Sequence, residues 1–435
     1  GLVGLANQGD SVQLVADTLT LSNSTGVELA DMASVIDGGE LTIKAELLTL
    51  EEGHFRVQGY DAVNAQLDRA VVVSGQGALV VDAQLGIDAP LVAGTAGAEY
   101  SITAQGAGLA VTGADPTALL PTETGLAASL LLQGDAVHYG GRVALPSGVI
   151  SIRQLGDAAN PVADDRIDIG PGALIDVAGI TQQFGPETFV TDGGHIHLQA
   201  ETGDINVGEG SGFNVSAGDV GGEAGGIRFD AANGQLSISS AAVLQAGGHG
   251  GSFMLDTNRL EVDTINDSTA YTELSRLLGG NFSDHRAIRL RDQGMVHDES
   301  LSVHAHNVHL VSDNESIAIR GLIDASGQGV DTVRKNGGSI VLAAGDVIDI
   351  ESAAVLRATG APDDGDKPAI ATRGGTVEFF ALDADNDDPG AVSDRVNLMS
   401  GAVIDVSGGG NPVHAAEDFL VTAEQRLGGR VRLHT

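Results

Sequence analysis

The chain repeats a pattern of six residues. It consists of two glycines, any residue, an apolar residue, any residue and a second apolar residue. We call this pattern the glycine phrase. It occurs at residues 38–43, 140–145, 193–198, 250–255, 337–342, 374–379 and 428–433, with a shorter copy at 225–229. A glycine turn that leads into a strand with a period of two, repeated every few tens of residues, is typical of stacked β-structure and not of a globular α/β enzyme.

A second pattern usually follows the glycine phrase. It consists of a small residue, two apolar residues, a polar residue, an apolar residue, a small residue and glycine. We call it the polar phrase, and its copies lie at residues 172–179, 212–218, 321–327, 354–360 and 401–408. Alternation along a strand sends the polar residue of each copy towards solvent and its neighbours inward. These polar residues are Asp176, Asn214, Asp324, Arg357 and Asp405.

A third short strand lies between the two phrases, for example at residues 204–207 and 346–350. Three short strands separated by glycine-bearing corners describe one coil of a parallel β-helix, an all-β solenoid whose coils stack about 4.8 Å apart. Such a narrow core is filled by aliphatic columns, and we expect Phe213, Phe229, Phe253 and Phe379 inside it.

The regularity of the phrases divides the chain. Residues 1–160 are predicted to form less regular β-helix coils with insertions, and residues 161–255 regular coils. An excursion with a short helix follows at 256–300, and regular coils, cut off at the C-terminus, fill 301–435. The helix is predicted at residues 267–278, where an acidic or hydroxyl cap precedes helix-spaced leucines and two glycines end the run.

Composition narrows the possible partners. The 435 residues include 62 glycines and no cysteine, and the formal net charge of −37 repels nucleic acid. No apolar run approaches the ~18 residues of a membrane span. The chain starts without Met or an export signal and ends one strand into a glycine phrase, so we expect it to be an internal piece of a longer protein.

One acidic segment has the oxygen-ligand spacing of a calcium loop. Asp383, Asp385 and Asp387 alternate with other residues, and Asp394 stands at the twelfth place. The sixth place holds Asp388 where an EF-hand requires glycine, and no helices are predicted on either side. The pattern favours a solvated acidic loop, with a calcium site as the alternative and no other cofactor expected.

Eight of the 12 histidines fall into groups, at His195 and His197, at His249 and His285, and at His297, His304, His306 and His309. Two histidines on one strand face can bind zinc if a third ligand converges. The alternation with apolar residues predicts instead that they form part of a solvated polar face.

No catalytic constellation can be assigned. A nucleophile elbow of the Gly-x-Ser-x-Gly type is absent from the sequence. Some β-helix proteins cleave polysaccharides with carboxylates and a basic residue stacked in adjacent coils. Asp324 and Arg357 lie one repeat apart and could stack in this way, but a simple ion pair is the favoured interpretation. We expect the chain not to be an enzyme.

The phrases at 337–347 and 401–409, and the order of the segments at 190–255, 287–291 and 323–327, resemble the filamentous haemagglutinin family. The resemblance covers residues 140–435 well and the first third more loosely. It implies a right-handed parallel β-helix, exported through an outer-membrane partner to the surface of a Gram-negative bacterium. The motifs of the family's secretion domain are not visible, which suggests an internal segment.

The resemblance implies that the chain is the structural shaft of a secreted or cell-surface adhesin. Such a shaft spaces or displays elements that bind receptors or glycans of host or neighbouring cells. One alternative is an extracellular scaffold subunit that self-associates into fibres. Another is a carbohydrate-binding or polysaccharide-cleaving β-helix protein.

Overall fold

The computed structural model describes twelve segments of the chain. They are residues 2–3, 11–23, 38–113, 115, 117–122, 124–156, 165–218, 221–327, 335–361, 372–381, 395–408 and 428–434. The chain forms two compact units, Gly1–Gly251 and Ser252–Thr435. The four segments predicted from the sequence stay a prediction.

The first unit consists of short strands. They are β1 (Leu2–Val3), β2 (Val12–Leu21), β3 (Glu40–Leu50), β4 (Gly53–Gln58), β5 (Ala62–Val73), β6 (Gln76–Val81), β7 (Gln84–Asp88), β8 (Val92–Gly94), β9 (Glu99–Ala104), β10 (Leu109–Thr112), β11 (Ser129–Gly134), β12 (Val137–Tyr139), β13 (Arg142–Ala144), β14 (Val149–Gln154), β15 (Arg166–Ile169), β16 (Leu174–Asp176), β17 (Thr181–Phe184), β18 (Glu187–Val190), β19 (His195–Ala200), β20 (Asp204–Val207), β21 (Gly212–Asn214), β22 (Glu223–Ile238) and β23 (Val243–Gln245).

The remaining elements begin with a strand that starts just before the second unit. They are β24 (His249–Val262), α1 (Ala270–Leu278), β25 (His285–Leu290), β26 (Met295–His297), β27 (Ser302–His304), β28 (Asn307–Ser312), β29 (Ile317–Ile319), β30 (Leu322–Asp324), β31 (Ser339–Ala344), β32 (Val347–Ile350), β33 (Val355–Arg357), β34 (Thr376–Ala381), β35 (Arg395–Leu398), β36 (Val403–Asp405) and β37 (Arg430–His434). The two phrases therefore form strands where the sequence predicts them.

Parallel pairing joins β4 to β16 and β19 to β23 of the first unit into three ladders. One ladder runs β4–β6–β9–β11–β14–β19–β22. The second runs β5–β7–β10–β12–β15–β20–β22. The third runs β5–β8–β13–β16–β21–β23. The predicted all-β fold with parallel strands is confirmed.

The second unit repeats this organisation. Its ladders are β24–β25–β28–β31–β34–β37, β26–β29–β32–β35 and β27–β30–β33–β36, all parallel. A strand pairs with the next strand of the same kind, so equivalent positions of successive repeats lie side by side.

The inward positions of the strands form apolar columns. Phe213, Phe229, Phe253 and Phe379 are all buried, as predicted from alternation. In the first unit, Phe213 and Phe229 pack edge to face with ring centroids 5.6 Å apart. Because these columns are narrow, a large ring fits only where a partner ring or small side chains surround it.

The glycine pair of the phrase makes a repeated corner. In five copies a glycine of the pair donates its N–H to the carbonyl oxygen of the residue that follows the polar position of a polar phrase. The donor is the second glycine, except in the shorter copy, where it is the first. The donor and acceptor pairs are Gly194 and Val177, Gly225 and Val215, Gly338 and Ala325, Gly375 and Ala358, and Gly429 and Val406, at 2.6–2.8 Å. A side chain at any of these five glycines would collide with the neighbouring backbone. The phrase thus requires glycine for close approach of two backbones.

Helix α1 confirms the helix predicted at residues 267–278, and a buried arginine holds the residues that follow it. Arg286 is buried, and its guanidinium donates to the carbonyl oxygens of Gly279, Asn281 and Phe282. Carbonyl groups after a helix end need such partners when they are withdrawn from water. Among the described residues α1 is the only helix, and it is too short to cross a membrane.

Strands β17 and β18 form an antiparallel hairpin, which is not among the elements predicted from the sequence. Gly185 and Pro186 make its two-residue turn, and Gly185 has a φ of +62°. At the base, the Thr191 hydroxyl accepts the Ile180 N–H at 2.8 Å and lies 2.7 Å from the Ser147 hydroxyl. These bonds fix the hairpin to the parallel ladders of the first unit.

Candidate functional site

The stacked Asp324 and Arg357, which the sequence singled out, belong to a longer charged column. His304, Asp324, Arg357 and Asp405 occupy equivalent positions on β27, β30, β33 and β36, each paired in register with the next. One Asp324 carboxylate oxygen, Oδ2, lies 3.7 Å from His304 Nδ1 and 3.8 Å from Arg357 Nη1. The ion pair favoured from the sequence is therefore present.

The polar phrase residue has a second, local role. Asp324 Oδ1 accepts the backbone N–H of Ser326, two residues later, at 2.9 Å. In the same way Asp176 accepts the N–H of Ala178, Asn214 that of Ser216 and Asp405 that of Ser407, at 3.0–3.1 Å. This Asx turn ends the strand and turns the chain into the corner. Aspartate and asparagine recur in the phrase because both supply the acceptor oxygen.

The prediction for Asp324 is wrong. Alternation predicted a solvated side chain, but Asp324 is buried, with 9% of its surface exposed. Its neighbours on both adjacent strands and the turn at Ser326 cover it. At Asp405, hydrogen bonds from the Ser407 backbone and side chain, with the charge of Arg357, hold the pKa of the carboxyl below its usual range. Both carboxylates of the column are committed to turns.

The grouped histidines are mostly at the surface, as predicted. His195, His249 and His304 are exposed, and His197 Nε2 lies 2.8 Å from Asp230 Oδ2. His297 is the exception, since it is fully buried. Its Nε2 lies 3.1 Å from the Leu322 carbonyl oxygen, and burial lowers its pKa to about 4.

The structure brings together two histidines that the sequence placed in different groups. His285 on β25 and His309 on β28 pack edge to face, with ring centroids 5.0 Å apart and planes at 81°. Burial lowers the pKa of both imidazoles, and at His309 the charge of His285 adds to this effect. The pair was missed because His309 stands two residues beyond Asn307, the register partner of His285, and registers are not visible in a single sequence.

The proposed calcium ligands Asp383, Asp385, Asp387 and Asp394 lie outside the described residues. Within the described segments, no group of three or more His, Asp and Glu side chains is arranged to hold a metal ion. The calcium loop stays a prediction.

The hairpin presents an aromatic pair to solvent. Phe184 and Phe189 lie diagonally across β17 and β18 on one face, with centroids 5.4 Å apart and planes at 80°. They are 57% and 53% exposed, whereas Tyr60, Tyr100, Tyr139 and Tyr271 are buried. Exposed apolar rings that touch each other hold the hairpin together and also offer a surface to a partner.

No protein-family model matches the chain, and no curated protein or solved structure matches it at a significant level.

Proposed function

We propose that the three ladders of each unit are the three faces of a right-handed parallel β-helix. We further propose that the chain is a section of the shaft of a secreted or cell-surface adhesin, similar to the filamentous haemagglutinin family. The observation that carries the proposal is the in-register stacking of equivalent strands. In the second unit, each of the repeats β25–β27, β28–β30, β31–β33 and β34–β36 gives one strand to each of the three ladders.

The corners support a coiled path. At five corners the chain leaves one ladder and enters another through the same hydrogen bond, from a glycine of the glycine phrase to the end of a polar phrase, as between Gly375 and Ala358 at 2.7 Å. A connection that recurs with one geometry adds coils of the same kind, so length can increase without a new core design. Length of this kind suits a protein that spaces binding elements away from a cell.

The charged column bears on the polysaccharide-cleaving alternative. Such an enzyme needs carboxylates that can reach a glycosidic bond. Asp324 is buried, with one oxygen in an Asx turn and the other facing Arg357 and His304. Its contacts are those of a residue that shapes a corner, and they favour the shaft over the enzyme.

The hairpin is our candidate for a displayed element. It projects its Phe184 and Phe189 rings from a rigid base at Thr191, and both faces of its strands are exposed. A binding element on a shaft needs this combination of a fixed base and an accessible tip.

Immunogold electron microscopy tests the proposal on intact cells that produce the protein, with antibodies raised against the purified chain. We expect gold at the outer surface, at a distance from the membrane, and removal of the label by external protease. Label that appears only after the cells are permeabilised would contradict a surface shaft. Bundles of label along laterally assembled fibres would favour the scaffold alternative.

A further inference from the structure

Two histidine rings lie in contact on the outward face of one ladder in the second unit. His285 and His309 alternate with the buried residues Arg286, Ile288, Val308 and Leu310, so the two imidazoles stand on the opposite side of the sheet from the core. Both rings are half-buried, and their centroids are 5.0 Å apart.

We propose that His285 and His309 together bind a divalent late first-row transition ion, of the class of Cu²⁺, Ni²⁺ or Zn²⁺, with water completing the coordination. This inference is independent of the proposed shaft function. Imidazole nitrogens bind these ions at about 2.0–2.1 Å. Two rings that share an ion at a near-tetrahedral angle have centroids about 5 Å apart, which follows from that bond length and the size of the ring. The observed separation meets this requirement.

The charge of the surroundings favours a cation. Glu378 lies two strands from His309 in the same column, and the whole chain carries a net charge of −37. The electrostatic field of the protein therefore attracts the ion.

Neighbouring polar groups hold one ring in place. His309 Nε2 lies 3.4 Å from the Ser339 hydroxyl, which donates to Asn307 Oδ1 at 2.9 Å. Such outer-shell bonds orient a ligand ring and select which nitrogen is free. The edge of one ring faces the plane of the other, so binding requires a ring to turn, and its proton resonances will shift.

Isothermal titration of the full chain with CuSO₄, NiCl₂ and ZnCl₂ tests the proposal. We expect one site per chain, tightest for Cu²⁺ as the Irving–Williams order requires, and no competition from Ca²⁺. His285→Ala and His309→Ala should each weaken binding at this site at least tenfold, and the ring-proton resonances of both histidines should move together on titration. Circular dichroism verifies that each variant is folded, and His285→Gln and His309→Gln provide second, polar replacements.

The matched control is the double variant His195→Ala and His197→Ala, which removes two histidines from one face of β19 in the other unit. It should leave the affinity and the stoichiometry unchanged. If the His285 and His309 variants bind each ion as tightly as the native chain, or if only the control loses binding, the assignment is wrong.

Discussion

A Cβ atom on Gly375 would lie 1.9 Å from the carbonyl oxygen of Gly338, the equivalent glycine of the preceding repeat. The same oxygen accepts the N–H of Thr376 at 2.9 Å, so the strands cannot move apart without loss of a ladder hydrogen bond. Gly429 stands in the same relation to Gly375, at 1.7 Å. The glycine phrase is thus a condition for stacking one repeat on the next.

Gly375→Ala should therefore destabilise the second unit by about 3 kcal/mol, because the methyl group forces the two backbones apart. The chain lacks tryptophan, so urea unfolding is best followed by circular dichroism. Gly280→Ala is the control, since a Cβ at Gly280 meets no atom within 4 Å, and it should change the stability by less than about 0.5 kcal/mol. Equal effects of the two substitutions would show that the close approach does not limit stacking.

The sequence predicts those features that depend on adjacent residues, and it does not predict those that depend on pairing between distant strands. The strands after glycine pairs and the buried Phe253 and Phe379 follow from a few adjacent residues, and the structure confirms them. The pairing of His285 with His309 and the burial of Asp324 depend on the register between strands tens of residues apart. A single sequence does not contain that information.

The hairpin also has a local signal in the sequence. Gly185-Pro186 lies between two short runs rich in threonine and phenylalanine, which is a hairpin pattern with a two-residue turn. Its position within a chain of parallel repeats concealed it. The calcium loop at Asp383 stays a prediction for a different reason, because it lies outside the described residues.

Asp324→Ala and Asp324→Asn separate the turn from the ion pair. Alanine removes the acceptor of the Ser326 N–H in a buried place, and we expect a loss of about 1–3 kcal/mol. Asparagine keeps the acceptor, as Asn214 does in the first unit. Asp324→Asn should lower the free energy of unfolding by less than about 1 kcal/mol, because the ion-pair partners Arg357 and His304 are exposed. Urea unfolding of both variants measures the difference. Similar losses would mean that the charge, and not the turn, stabilises this corner.

His297 makes stability depend on pH. Its pKa is lowered from 6.5 to about 4 in the folded chain, so between these values the unfolded chain binds one more proton. The contribution of His297 is complete above pH 6.5 and falls by up to about 3 kcal/mol as the pH drops to 4. His285 and His309, whose pKa values are also lowered, act in the same direction.

His297→Gln should therefore unfold with a weaker pH dependence between pH 6.5 and 4 than the native chain, by as much as ~1.4 kcal/mol per pH unit. Urea midpoints across this range give the comparison. Leu398→Gln, at an exposed position of the same unit and without a titratable group, serves as the control and should retain the native slope. The account of the buried imidazole fails if the His297 variant retains the native slope as well.

The stacking of successive repeats, on which the proposed shaft depends, is tested most directly by one distance in solution. The chain has no cysteine, so spin labels can be placed at Ser302→Cys on β27 and Val403→Cys on β36, both of which are exposed. These positions occupy the same column three strands apart, and their Cα atoms should be separated by about 14 Å. Electron paramagnetic resonance should give a narrow, short-range distribution consistent with that separation. A broad distribution centred at several times that distance would contradict the stacked arrangement.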